Sequence, residues 1–144
     1  MASRVRDREM SEVRRRVLRA GVVVLLLASL APSARAGTPG TMTITSDTTL
    51  TEDHFGSIEI AADDITLYCA GFSVVGPSPD LDMVDGVFVG HHSGVTIKNC
   101  SVSGFANNGF TLFRVTDSIL VGNTASTNEL NGFVASTGSK GNVL

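Results

Sequence analysis

"VTIKNCSVSGFANNGF" runs from Val95 to Phe110, and "SILVGNTASTNELNGF" runs from Ser118 to Phe133. Both mix branched apolar residues with asparagines and glycine turns, and the second starts 23 residues after the first. Gly86-Val87-Phe88, Gly109-Phe110-Thr111 and Gly132-Phe133-Val134 repeat at that same interval of 23. Within these segments Val95-Thr96-Ile97 reads as recurring at Ile119-Leu120-Val121, and Val143-Leu144 begins it again. A looser copy, Ile65-Thr66-Leu67, is set back by the excursion "GPSPDLDMVD" (Gly76 to Asp85). A fixed period of roughly 20 to 50 residues marks a stacked repeat, in which each unit buries its apolar face on its neighbours.

Local patterning selects the kind of stack. Val87/Val89, Val95/Ile97, Phe110/Leu112 and Ile119/Val121 alternate at period two, the spacing of a strand. Short stretches of Gly, Asn, Ser and Thr separate them, and these residues form turns. Nothing after residue 37 repeats apolar residues at helical spacing, and the regular leucines of a leucine-rich repeat are missing. Three short strands in each coil of about 23 residues predict an all-β chain, a parallel β-helix. Stacking at about 4.8 Å then predicts inward columns such as Val87/Phe110/Phe133 and Val95/Ile119/Val143. Asn99 and Asn123 read as equivalent turn residues, paired side chain to side chain in a ladder. Asn99-Cys100-Ser101 also matches the N-glycosylation pattern, for which an inward-turned asparagine is a poor acceptor.

The segments "DDITLYCAGFSVVG", "GVTIKNCSVSGF" and "NGFTLFRVTDSILVGNTASTNELNGF" resemble the right-handed parallel β-helix repeats of the pectate-lyase-like superfamily. The resemblance runs from about Thr49 to the end of the chain and implies a right-handed solenoid of about four coils over residues 37–144. Proteins of that superfamily include polysaccharide lyases, glycoside hydrolases, sugar epimerases, phage tailspikes and a periplasmic maturation factor for a copper enzyme. Where several such repeats carry an Asp before Cys-x-Gly, this chain has Tyr68 before Cys69-Ala70-Gly71.

Residues 1–36 read as a secretory signal peptide and stand apart from the fold. Seven arginines lie between Met1 and Arg19, the apolar "AGVVVLLLASLA" follows, and Ala34-Arg35-Ala36 offers cleavage before Gly37. The apolar run is shorter than the ~20 residues that span a bilayer, so no membrane association is expected after cleavage. Arg14 and Arg15 in "RRRVLR" resemble a twin-arginine signal, while "VVVLLL" suits the general secretory route, and both stay open. The expected location is secreted or periplasmic. Export leaves three basic residues (Lys98, Arg114, Lys140) against eleven acidic ones, a net charge of −8. That balance excludes the basic footprint of a nucleic-acid binder. Cys69 and Cys100 have no zinc-site spacing and leave two readings, a disulfide formed outside the cytoplasm or two buried thiols.

Chemistry has few places to sit. Asp80, Asp82 and Asp85 are close enough in sequence to suggest calcium, but they lack the glycine and terminal glutamate of a calcium loop and read as solvated. Asp63-Asp64 precedes a strand and reads as turn chemistry. His91-His92 lies in the loop "GHHSG", where neighbouring side chains diverge too far to share one metal easily. Arg114 and Asp117 read as an exposed ion pair. Asp117 and Glu129 fall at different points of their coils, so no pair of carboxylates is set at the separation of a glycosidase. No catalytic, cofactor or metal residue is assigned.

The function expected is a secreted β-helix module without catalysis of its own, with polysaccharide or another surface as its partner. The alternative is the N-terminal part of a polysaccharide lyase, glycoside hydrolase or sugar epimerase. A metal-maturation role rests on His91-His92 alone. Because Val143-Leu144 opens a strand with no capping element after it, the chain is expected to be incomplete at its C-terminus or to associate end to end.

Overall fold

Thr66-Leu67-Tyr68, Thr96-Ile97-Lys98 and Ser101-Val102-Ser103 each place one apolar residue between two polar ones. A strand sends alternate side chains to opposite faces, so each triplet buries its centre and offers its flanks to solvent. In the computed structural model, which describes residues 38–77 and 84–144, all three are strands buried at the central residue alone. The expected leader over residues 1–36 lies outside the described residues, as do Asp80 and Asp82.

The strands follow one another in threes. The first coil holds β1 (Thr38–Pro39), β2 (Met42–Ile44) and β3 (Thr48–Thr49), and the second β4 (His54–Phe55), β5 (Ile58–Ile60) and β6 (Thr66–Tyr68). The third holds β7 (Ser73–Val75), β8 (Val87–Gly90) and β9 (Thr96–Lys98), and the fourth β10 (Ser101–Ser103), β11 (Phe110–Phe113) and β12 (Ile119–Val121). A fifth follows with β13 (Thr124–Ser126), β14 (Phe133–Ser136) and a single bridge from Val143 to Ile119. Every pairing is parallel and joins equivalent strands of successive coils into three sheets. Sheet A is β1-β4-β7-β10-β13, sheet B is β2-β5-β8-β11-β14, and sheet C is β3-β6-β9-β12. The chain is a parallel β-helix of four full coils and most of a fifth.

The core is the set of inward columns. Ile58, Val87 and Phe110 follow one another up sheet B, fully buried, and Phe133 continues the column. Register forces Phe110 and Phe133 face to face, with ring centroids 4.7 Å apart and planes 4° from parallel. Leu67, Ile97 and Leu120 form the matching column of sheet C, and Val74 and Val102 that of sheet A. Each such side chain is worth roughly 1.5–3 kcal/mol of burial, which a lone coil has no partner to supply.

One expected column is out of phase. Ile119 pairs with Thr96 rather than standing over Val95, so Ile119 and Val121 point outward, 45% and 52% exposed, while Leu120 is buried. The true repeat from β9 to β12 is again 23 residues, and Ser118 is the residue above Val95, its hydroxyl accepting the Val95 N–H at 2.9 Å. Three consecutive apolar residues leave the phase of a strand undefined, and the neighbouring coil, polar-apolar-polar, decides it.

The same one-residue shift dissolves the expected Asn99/Asn123 pair. Asn99 is an exposed left-handed corner residue (φ 53°), and its equivalent is Gly122 (φ 65°). Asn123 instead clamps the coil below, accepting the Cys100 N–H at 3.0 Å and donating to the Ile97 carbonyl at 2.9 Å. Asn128 and Asn142 repeat this clamp on Phe105/Val102 and Ser118/Val115. Side-chain ladders do form, at another corner, where Asn131 donates to Asn108 and Asn108 donates to Asp85. A disulfide, Cys69–Cys100, joins the second and third coils with Cα atoms 4.8 Å apart, which settles the two readings of the cysteines. It closes a loop that contains the whole 76–85 excursion.

Candidate functional site

The acidic residues are mostly occupied with backbone. Asp47 accepts the Thr66 N–H at 2.8 Å and Asp53 the Ser73 N–H at 2.9 Å, each in the coil above. Asp85 accepts both the backbone and the side-chain N–H of Asn108 at 3.1 and 2.9 Å, so of the three excursion acids the one that is described serves a turn. Asp63 accepts the Ser93 N–H at 2.8 Å and faces the His92 ring at 3.1 Å. The Ser93 amide first, and His92 second, hold its carboxyl below the ordinary value of 3.8. Hydrogen bonds to a charged carboxylate stabilise that form.

The other candidates stand apart. His92 turns to Asp63, whereas His91 sets its ring edge-on against Phe113 with centroids 5.2 Å apart. Among the described residues no three His, Cys, Asp or Glu come together in a metal-binding group. Arg114 forms no ion pair with Asp117, whose Oδ1 lies over Gly141. Its guanidinium carbon lies 5.2 Å from the Phe113 ring centroid instead, a cation–π contact.

A cleft of about 400 Å³ opens where sheet C turns into sheet A. Its walls come from three successive coils, at the point where each passes into the next. Tyr68, Ala70 and Gly71 lie where the second coil passes into the third, Asn99, Cys100 and Ser101 where the third passes into the fourth, and Gly122 and Thr124 where the fourth passes into the fifth. The corner is only two residues long between β9 and β10, so the backbone must turn sharply, and left-handed residues do this at Asn99 and Gly122. With no side chain at Gly71 and Gly122 and only a methyl at Ala70, the corner becomes a hollow. Asn99 leans its Oδ1 over the Gly122 Cα, into space that a Cβ would fill. Lys98 sits directly above Tyr68 in register, with Nζ 4.9 Å from the ring centroid.

Beyond the cleft, the outer face of sheet A carries hydroxyls in rows. Ser73, Ser101 and Thr124 are in register, and so are Ser103 and Ser126 one step along. Sequence reading did not find this place. Its signal was the chain's single tyrosine, in a sequence without tryptophan, at an outward position beside a turn. Equally, Asn99 faces outward, which removes the objection that an inward turn would bar it as a glycan acceptor. No family model matches the chain, and comparison with curated proteins and with solved structures likewise finds no match.

Proposed function

We propose that this is an exported, disulfide-stapled β-helix module of the pectate-lyase-like kind that binds polysaccharide in the cleft at the C–A corner. The observation that carries the reading is the make-up of that cleft. An aromatic ring, a side-chain amide and two hydroxyls, the last three with no hydrogen bond among the described residues, converge on a shallow, open hollow. Sugars offer the complement, with apolar ring faces and hydroxyls that both donate and accept. The rows of hydroxyls on sheet A extend a polar, uncharged surface from the cleft mouth.

Binding is favoured over catalysis because Asp47, Asp53, Asp63 and Asp85 are committed to backbone amides, leaving them poorly free for acid–base work. Export to a secreted or periplasmic location accords with the leader pattern and with the disulfide, which persists in oxidising compartments. The test is retention of the purified protein on insoluble polysaccharides and its titration with soluble oligosaccharides, alongside Tyr68→Ala. The expected result is saturable binding that Tyr68→Ala weakens by about tenfold, the worth of losing one packed aromatic. Binding that ignores Tyr68→Ala, or none at all, would overturn the reading.

A further inference from the structure

We infer that the ligand of the C–A cleft is an uncharged glycan chain lying along the axis of the β-helix, held over two to three sugar units. This deepens the proposed polysaccharide binding and rests on it.

Direction follows from the stacking. The residues that line the cleft belong to three consecutive coils, and coils repeat at about 4.8 Å, so the cleft is roughly 10 Å long between its first and last coil. An extended chain of two to three sugar rings fills that length, whereas one ring fills a single coil step or two. Polar groups recur along the same direction. Asn99 stands in the third coil, the Ser101 hydroxyl beside it, and the Thr124 hydroxyl one coil higher in register with Ser101. Tyr68 closes the lower end. None of these side-chain polar groups has a hydrogen-bond partner among the described residues, so each is available to a ligand at the cost of displacing water only.

Charge selects among glycans. No charged residue lines the cleft. Lys98 rests over the Tyr68 ring, and among the described residues no cation lines the cleft itself. Residues 37–144 carry eleven acids against three bases, a field that repels a polyanion. The lining groups are an amide and hydroxyls, which match sugar hydroxyls as both donors and acceptors and give a carboxylate or sulfate no compensating charge.

The test titrates the purified protein with cello-, xylo- and manno-oligosaccharides of one to six units and with oligogalacturonates of the same lengths, at low and high salt. The expected result is that one neutral series binds, with affinity rising about tenfold from one unit to three and then levelling off, since a length of two coil steps takes no more. Binding is expected to be insensitive to salt and to Lys98→Gln. Thr124→Ala and Asn99→Gly are each expected to weaken the trimer about fivefold, as one hydrogen bond would. Asn99→Gly keeps the left-handed corner, so its effect reads the amide and not the fold. Tighter binding of oligogalacturonate, falling with salt and with Lys98→Gln, would overturn the neutral ligand while leaving polysaccharide binding intact. Affinity independent of length, or unmoved by Thr124→Ala, would overturn the axial placement. No binding by either series would remove both this inference and the function on which it rests.

Discussion

Asn131 donates from its side-chain amide to Oδ1 of Asn108 at 2.9 Å, and Asn108 passes the same bond down to Asp85 at 2.9 Å. The three residues occupy one corner in three successive coils, so the ladder ties coil to coil without using the sheets. Asn108 is its middle rung, 8% exposed. Asn108→Ala is therefore expected to cost about 1–3 kcal/mol, because it removes a buried amide that bonds a partner above and another below. Asn99→Gly, at an exposed corner that glycine fits, is expected to cost under ~0.5 kcal/mol. Urea denaturation of the two variants checks this, and similar midpoints would deny the ladder its role.

A second prediction concerns the staple. Cys69–Cys100 closes a loop spanning 31 residues, for which the chain-entropy estimate of stabilisation is roughly 3–4 kcal/mol. Cys100→Ser, or reduction of the native protein, is expected to lower stability by that amount. Denaturation with and without reductant measures it. A loss below ~1 kcal/mol would mean that the unfolded chain is already restrained without the bond.

The corner at Gly122 gives a third. A methyl there would meet Oδ1 of Asn99, in a backbone with φ of +65° that side chains disfavour. Gly122→Ala is expected to cost about 1–3 kcal/mol. Adding Asn99→Gly removes the collision but not the backbone penalty, so the double variant should recover part of the loss. A double-mutant cycle reads the difference. Strict additivity would place the two residues out of contact.

Acid should weaken the contact between the second and third coils through Asp63. Its carboxyl is held below 3.8 in the folded chain, chiefly by the Ser93 amide, and lies near that value when unfolded. A depressed folded value stabilises above the unfolded one, and that stabilisation disappears as pH falls through the folded one. The contribution is thus complete near pH 5 by this argument and fades below about pH 3.8. Asp63→Asn should flatten this part of the stability profile on the acid side of about pH 5, measured by denaturation at each pH. An unchanged profile would assign the acid response to other carboxylates.

What the sequence disclosed depended on contrast between neighbours. Ile97 and Val102, each flanked by polar residues, declared their inward direction unaided, and Phe110 did so through its repeat. Ile119-Leu120-Val121 offered no contrast, and only pairing with Thr96-Ile97-Lys98 fixes which of the three is buried. That shift of one residue also decided which asparagines face which, so the existence of side-chain ladders was legible while their members were not. The cysteine pair was hidden by the excursion, which stretches their separation to 31 residues, whereas the coils that follow it repeat at 23 or 24. The cleft was the least legible of all. Its walls are drawn from three coils, and no contiguous segment contains more than three of its residues.

The corner that leads into sheet C carries Asp64, Gly94, Asp117 and Gly141 in successive coils, all left-handed. Each aspartate reaches over the glycine above it, its Oδ1 occupying the space of the missing Cβ at Gly94 and again at Gly141. The backbone repeats every coil, but at this corner the side chains repeat every second coil. Growth of the solenoid by duplication therefore depends on which coil is copied. Copying the single coil 95–117 would set one aspartate beneath another, Oδ1 against Cβ, whereas copying the single coil 65–94 sets glycine over glycine and copying two coils preserves the alternation. The 95–117 duplication is expected to melt below either of the others.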